Sequence, residues 1–346
     1  MTQEKNRKLM TGYELAVQAC LDAGAEMMYG YPITPTCEVL SGWIDAGKPY
    51  LQTEDEIAAG FGVCGAVLAG QKAFTASAGP GHILLQDGFS MAEAMRLPFV
   101  MIIGQRGGPS SGTVIYSQQE VTLACYGGNG EGLRFVYSPS NVAELYQLTR
   151  KAFNDAWHYR FPAVVLTDGY TLKTRNTVDL EKLGKIENIP ATKLVPEDKV
   201  VHWPNIYTFE EELYDEVLAA QKDFETVAEE VASAEELYTE DAEVLLIAHG
   251  IVASSAKEAV EILRGQGKKI GLFRPITLRP FPKKQLDRVV GHPQVKKIII
   301  AESSLGQFAR IVRDELAPEI STPFEYLKYP GLGVEAEDFV REIKMV

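Results

Sequence analysis

Residues 51–81 read LQTEDEIAAGFGVCGAVLAGQKAFTASAGPG and residues 99–112 read FVMIIGQRGGPSSG; between them these two runs carry the fold. The acidic triplet Glu54-Asp55-Glu56 opens an Ala/Gly-rich helix expected over residues 57–70. An apolar strand over 73–77 then enters the turn Ala78-Gly79-Pro80-Gly81, and after a second helix the strand over 99–104 delivers Arg106-Gly107-Gly108. Strand, turn and helix repeating at this interval describe a parallel sheet covered on both faces. Ligands bind beyond the carboxyl ends of such strands. An acid cluster, a Gly-Pro-Gly turn and an arginine at successive strand ends therefore describe a ligand site.

The same alternation extends outward. Thr11-Gly-Tyr-Glu14 has the form of a capping box opening a helix to about Ala23. A short strand over 27–31 ends in Pro32-Ile33-Thr34-Pro35, and a helix follows over 36–46. Strands are expected at 134–137 and 163–167, with an amphipathic helix over 142–159 before the last. Residues 1–180 thus read as one doubly wound, mostly parallel α/β domain. Residues 181–240 read as a linker, punctuated by Pro190, Pro196 and Pro204 and ending in an acidic helix over 209–237. Such a charge run suits a solvated helix face, or a brace for a partner subunit. Residues 241–346 repeat the pattern, with strands at 244–248, 270–274 and 297–302 and helices at 253–264, 283–290 and 305–316. They form a second, smaller α/β domain.

Bulk composition excludes several functions. With 346 residues and 46% apolar content the chain can bury a large core in about two domains. A net charge of −13 and a pI near 5.0 argue against nucleic acid or an anionic membrane as partner. Cys20, Cys37, Cys64 and Cys125 are scattered without a Cys-x-x-Cys pair, which disfavours a zinc site, a bound iron-sulfur cluster or a disulfide framework. Reduced, buried thiols in the cytoplasm fit best. No apolar run reaches the roughly 20 residues of a membrane span, and the charged start of the chain lacks a signal-peptide core.

Each candidate site residue has a plain structural use as well as a chemical one. Thr34, between two prolines, is either a rigidly held hydroxyl or a helix N-cap. Acids at a helix start are favoured by the helix dipole in any case. Glu56 stands out because it opens the helix face continued by Ala59, Gly60 and Val63, an apolar setting that would raise its pKa and let a neutral carboxyl donate to a ring nitrogen. Gly79-Pro80-Gly81 permits close backbone approach and would offer free N–H groups to a ligand, although tight turns use the same residues. Arg106, the one basic residue between Arg96 and Arg134, suits bidentate capture of a carboxylate or a salt bridge to the acid cluster.

In combination these motifs resemble the alpha subunit of the 2-oxoacid:ferredoxin oxidoreductases, the thiamine diphosphate family that includes the pyruvate, 2-oxoglutarate and 2-oxoisovalerate enzymes. The resemblance rests on Tyr31-Pro-Ile-Thr-Pro, Glu54-Asp-Glu-Ile-Ala-Ala, Ser77-Ala-Gly-Pro-Gly and Arg106-Gly-Gly-Pro-Ser-Ser-Gly in order. Arg274-Pro-Ile-Thr-Leu-Arg-Pro-Phe-Pro282 and Glu302-Ser-Ser-Leu-Gly-Gln307 are similar to the family's second, transketolase C-terminal-like domain. It implies that this chain supplies the pyrimidine-binding half of a thiamine diphosphate site, with Pro32, Ile33, Gly79, Pro80 and Gly81 around the cofactor. Glu56 then matches the glutamate that activates the aminopyrimidine, and Thr34, Arg106 and Gly107 match the receivers of the substrate carboxylate.

It also implies a partner beta subunit, since no Gly-Asp-Gly motif with a downstream Asn is present and Thr167-Asp168-Gly169 is no substitute. That partner, with possible gamma and delta subunits, would bring the diphosphate site, Mg²⁺ and iron-sulfur clusters, pass electrons to ferredoxin, and leave the acyl group on coenzyme A. The acidity of this chain fits that division, because ferredoxins are commonly acidic.

Three departures from the family pattern bear on substrate: Thr113-Val114-Ile115-Tyr116 replaces a Pro-Thr pair, Asp87 replaces a glutamate, and Ser303-Ser304 replaces an Asn-containing turn. The expected substrate is 2-oxoglutarate, with pyruvate, a branched-chain 2-oxoacid, or a non-catalytic structural role as the alternatives.

Overall fold

Thr11 closes one element and starts the next. In the computed structural model, which describes residues 7–184, 186–318 and 320–344, its N–H donates to Glu14 Oε2 at 2.7 Å while its hydroxyl accepts the Glu14 N–H at 3.3 Å. This is the expected capping box, satisfying two N–H groups that a bare helix start leaves unpaired.

In chain order the first elements are β1 (Arg7–Thr11), α1 (Gly12–Asp22), β2 (Met27–Gly30), α2 (Cys37–Asp45), β3 (Tyr50–Gln52), α3 (Glu56–Leu68) and β4 (Ala73–Ser77). There follow α4 (Pro80–Leu84), α5 (Gln86–Ala94), β5 (Val100–Gln105), α6 (Val121–Tyr126), β6 (Phe135–Tyr137), α7 (Val142–Tyr159), β7 (Ala163–Asp168), α8 (Gly169–Lys173) and β8 (Arg175–Asp179). After a long irregular stretch come α9 (Glu210–Val231), β9 (Ala234–Leu237), β10 (Val244–Ile247), α10 (Gly250–Gly265), β11 (Ile270–Pro275) and β12 (Thr277–Arg279). The last are α11 (Lys283–Val290), β13 (Lys297–Glu302), α12 (Gln307–Glu315), β14 (Phe324–Lys328) and α13 (Ala336–Glu342).

One seven-stranded sheet has the order β12-β6-β7-β5-β4-β2-β3 and is parallel apart from β12. Its central strands β5 and β7 are buried at every residue, as strands covered by helices on both faces must be. A second sheet, β14-β13-β10-β11-β9, is parallel apart from β9. β1 and β8 form a separate antiparallel pair.

The two large sheets share a core. One apolar cluster runs from Phe89, Met101 and Ile103 beside the first sheet to Leu245, Phe273, Ile300 and Phe308 of the second. The opposite faces are closed separately. Trp43, Phe74 and Phe153 meet edge to face on one, and Leu246, Val260 and Phe339 pack on the other.

Several short elements, among them β1, β3, β8 and β14, are absent from the sequence reading, and two further differences bear on how the sheets are built. The acidic helix ends at Val231 rather than near Leu237, and residues 234–237 form β9, antiparallel to β11. Their half-buried position explains the miss, because an edge strand needs no apolar alternation on its open side. The second is β12, whose three residues leave the C-terminal unit to pair with β6 of the first sheet.

Candidate functional site

Four neighbouring strands of the first sheet, β3, β2, β4 and β5, deliver the four quoted turns to one end of the sheet. The chain reverses its order of strand addition between β3 and β4. That reversal makes β2 and β4 the switch point of the sheet, beyond whose carboxyl ends ligands usually bind in such folds.

The acidic triplet divides its labour. Glu54 is exposed, and Asp55 is the N-cap of α3, its side chain accepting the Ala58 N–H at 2.8 Å. Glu56, the first helical residue, turns inward and is 4% exposed. Burial drives its carboxyl pKa up and the nearby Asp55 adds to this, against weaker opposing effects of its own N–H and of Arg106. Its Oε1 lies against Gly81, where an added Cβ would come within 2.2 Å of that oxygen and 2.3 Å of Ser77 Oγ. Glycine there lets the carboxyl sit directly on the backbone.

Arg106 stands at the end of β5, 6% exposed. Its guanidinium donates from Nη1 to the Thr34 carbonyl at 2.7 Å and lies against Gly79, where a Cβ would come within 2.6 Å of Nε. Among the described residues no carboxylate forms a salt bridge with it, and Nε is buried without a partner. A salt bridge to the acidic triplet, the structural use weighed for this arginine, is therefore not made. Thr34 is half-buried and does not cap α2; Thr36 is the N-cap residue there. The structure thus brings Thr34, Glu56, Gly79, Gly81 and Arg106 together. Pro32 is exposed at the rim and Ile33 is half-buried, its carbonyl holding the Thr36 hydroxyl at 2.9 Å.

One expectation fails. The Gly79-Pro80-Gly81 turn offers no free N–H groups: Gly79 donates to Glu120 Oε1 at 2.9 Å, Gly81 donates to the Ala78 carbonyl at 3.0 Å, and proline has no N–H to give. What the turn provides instead is close approach, with Gly79 at a φ of +51° that favours glycine.

Glu120 itself was not singled out from the sequence. It is 5% exposed and accepts the Arg106 N–H at 2.8 Å through the same Oε1, while Oε2 lies 2.8 Å from Nδ1 of the fully buried His82. The carboxylate makes Nδ1 the donor, leaving His82 Nε2 unpartnered. Beyond Arg106, the Gly107 N–H donates to Thr113 Oγ1 at 2.8 Å and the Gly108 N–H to Gln119 Oε1 at 3.1 Å.

The three departures are also placed. Thr113 thus shapes the arginine loop, and Tyr116 stacks on Tyr170 with ring centroids 4.7 Å apart. Asp87 is exposed, in a groove between α5 and α9. Ser303 is fully buried against Gln118, away from solvent. Thr167-Asp168-Gly169 starts α8, with Asp168 accepting both the N–H and the hydroxyl of Thr171 at 2.9 and 3.0 Å.

The strand order and the glutamate-on-glycine contact define a two-unit α/β fold whose candidate site lies at the switch point of the first sheet. A split-gene transketolase shares that fold, with a TM-score of 0.60 at 15% identity over 95% of this chain and 94% of that one. The profile described as pyruvate flavodoxin/ferredoxin oxidoreductase, thiamine diphosphate-binding, matches residues 18–245, and that of pyruvate:ferredoxin oxidoreductase core domain II matches residues 242–331. The chain belongs to this pyruvate flavodoxin/ferredoxin oxidoreductase family.

Among its relatives are the ketoisovalerate oxidoreductase subunit VorB of Methanothermobacter marburgensis, 33% identical over 81% of this chain and 82% of the relative, and the 2-oxoglutarate synthase subunit KorA of Methanocaldococcus jannaschii, 31% identical over 87% and 89%. The 2-oxoglutarate:ferredoxin oxidoreductase of Magnetococcus marinus, solved with 2-oxoglutarate, coenzyme A and succinyl-CoA bound, superposes with a TM-score of 0.86 at 26% identity. That match covers 98% of this chain and 65% of the longer one. No described helix is long and apolar enough to cross a membrane.

Proposed function

We propose that this chain is the alpha-type subunit of a cytoplasmic, thiamine diphosphate-dependent 2-oxoacid:ferredoxin oxidoreductase. The complex would convert a 2-oxoacid and coenzyme A to acyl-CoA and carbon dioxide, with two electrons leaving through iron-sulfur clusters to ferredoxin. The observation that carries the reading is the buried Glu56 carboxyl seated on Gly81, with the Arg106 guanidinium against Gly79 of the same turn and, among the described residues, without a carboxylate partner.

The residues fit the cofactor's pyrimidine. Glu56 offers a carboxyl whose pKa burial has raised, Ser77 Oγ is a buried hydroxyl without a partner, and the Gly81 cradle leaves the approach open. Thiamine diphosphate, when bound, supplies a nucleophilic carbon for the 2-oxo group and a sink for the electrons left by decarboxylation. Glu56 holds or donates a proton at the pyrimidine nitrogen. Arg106 receives the substrate carboxylate, aided by the Thr34 hydroxyl, and the low-dielectric surroundings strengthen that contact.

A partner subunit completes the site. Ile57 on α3, Ile83 and Leu84 on α4, and Leu51 on β3 are exposed apolar side chains on elements that carry the site, the surface such a subunit would cover. We assign to it the diphosphate, Mg²⁺ and iron-sulfur sites. The preferred substrate is 2-oxoglutarate, and the similarity to a ketoisovalerate oxidoreductase subunit favours a branched-chain 2-oxoacid as the second reading.

The test is to co-express the chain with the gene for its partner subunit and measure coenzyme A-dependent viologen reduction over 2-oxoglutarate, pyruvate and 2-oxoisovalerate. Turnover of one of them is expected. A thiamine-loaded and cluster-loaded complex that turned over none would overturn the proposal in favour of a structural subunit.

A further inference from the structure

The loop that carries Arg106 is shaped from outside. Its three successive N–H groups, of Arg106, Gly107 and Gly108, donate to the side chains of Glu120, Thr113 and Gln119. Glu120 also takes the Gly79 N–H, so a single carboxylate oxygen ties the end of β5 to the end of β4. Its other oxygen is anchored on His82, which is 0% exposed. Among the described residues Arg106 has no carboxylate partner to fix its head group, so its position is set by its backbone and by the bond to Thr34.

The segment that supplies these acceptors is gripped on its other side by the C-terminal unit. Gln118 donates its backbone N–H to the Ser303 carbonyl at 3.1 Å and accepts the Ser303 N–H on Oε1 at 2.9 Å. It also donates from Nε2 to the His249 carbonyl at 2.9 Å. The Ser117 hydroxyl adds a bond to the Ser303 carbonyl at 3.1 Å. Gln307 spans the same junction, donating to the Gln119 carbonyl at 2.7 Å and accepting the Thr122 N–H at 3.0 Å. Ser117, Gln118 and Ser303 are each no more than 1% exposed, so these bonds are made out of water and leave stranded polar groups when broken.

We propose that Glu120 is a positioning residue for Arg106, and that the C-terminal unit sets 2-oxoacid affinity by holding the 117–122 segment through Gln118. The turns after β10 and β13 of that unit act on the substrate without touching it. This rests on the function proposed above. It assigns a role in binding to a contact between units that would otherwise count only as packing.

The test uses the co-expressed complex and the variants Glu120→Ala, Glu120→Gln and Gln118→Ala. Glu120→Ala strands the Arg106 and Gly79 N–H groups and is expected to raise KM for the 2-oxoacid about tenfold or more, with kcat changed far less. Glu120→Gln keeps an acceptor oxygen for both N–H groups and should restore most of the affinity, because the His82 ring can present its other tautomer to the new amide. Gln118→Ala lies outside the ligand site and should raise KM several-fold, by about three to ten times, at near-constant kcat.

A second readout is the dissociation constant of the 2-oxoacid, measured by calorimetry on the complex prepared without thiamine diphosphate, which should shift in parallel with KM. If Gln118→Ala and Glu120→Ala lowered only the melting temperature, or lowered kcat at unchanged KM, the positioning role would be refuted while the proposed function stood. Should Glu120→Ala fail to fold, Gln118→Ala and Glu120→Gln decide the matter. A wild-type complex inactive on every 2-oxoacid would remove both proposals together.

Discussion

Arg274 forks onto Glu144, donating from Nη1 and Nη2 to its two carboxylate oxygens at 2.8 Å each, while Nε reaches Glu235 at 2.9 Å. The arginine ends β11 of the second sheet and Glu144 lies in the first turn of α7, so this fork is a charged fastening between the two units. Arg274 is buried and both acids are half-buried. Replacing it with alanine should cost about 2–3 kcal/mol, below the value for a fully buried pair because water partly screens the freed carboxylates. The midpoint of urea denaturation measures this, and an unchanged midpoint would mean the pair only offsets its own desolvation.

Glu56→Gln separates chemistry from stability. A carboxamide keeps the size of the side chain but cannot take up and return a proton, and kcat/KM should fall by on the order of a hundredfold to a thousandfold. Stability should not fall. The raised pKa means the folded state favours the protonated acid, so Glu56 withdraws stability as pH rises above the ordinary carboxyl range of 4.5, and glutamine removes that effect. Thermal denaturation at two pH values beside the viologen assay distinguishes this outcome from simple unfolding.

Gly81→Ala tests the cradle. The backbone at this position is helical and accepts alanine, but the new methyl would sit 2.2 Å from Glu56 Oε1 unless the carboxyl moved. A stability loss of about 1–2 kcal/mol is expected from the crowding, with a disproportionate fall in kcat/KM on the order of a hundredfold from the displaced acid. Wild-type kinetics in this variant would show that catalysis tolerates Glu56 in another place.

Asp168→Asn tests a pH dependence. Burial pushes the Asp168 carboxyl up from 3.8 to about 6, partly opposed by the hydrogen bonds from Thr171 and the N–H of Tyr170. Between those values the folded chain holds a proton that the unfolded chain has released, so this group's contribution falls as pH rises through the window, by up to about 3 kcal/mol. Asparagine can cap α8 with its Oδ1 accepting the Thr171 N–H and its Nδ2 donating to the Thr171 hydroxyl, and it carries no charge to desolvate. The variant should therefore match wild type near pH 4 and exceed it increasingly up to pH 7. His249, pushed down to about 3 by burial, acts in the opposite direction below pH 6.5 and cancels from the comparison. A constant difference across that range would contradict the assignment.

Much of this architecture was legible because parallel strands buried on both faces leave continuous apolar runs, and because turn residues punctuate them. Glu56 could be chosen from three adjacent acids since Ala59, Gly60 and Val63 continue its helix face, and all three are buried. Glu120 could not. Gln118-Gln119-Glu120 reads as a polar surface loop, and nothing local signals that it folds back under two other strand ends and a second unit, where each of Gln118 and Glu120 is 5% exposed or less. The same hidden carboxylate explains why the Gly-Pro-Gly turn looked like a donor of free N–H groups. β9 and β12 were missed for a related reason: short edge strands are chosen by the sheet they complete, more than by their own residues.

β12 has a temporal consequence. Thr277–Arg279 closes one margin of the sheet that carries Glu56 and Arg106, yet it lies far downstream of the other six strands. A chain emerging from the ribosome therefore completes six strands with the β6 margin open to any passing strand, and only the arrival of residue 279 seals it. The first sheet is therefore complete only once part of the C-terminal unit has been made, and truncation before that point is expected to yield a sticky fragment in place of a smaller working domain.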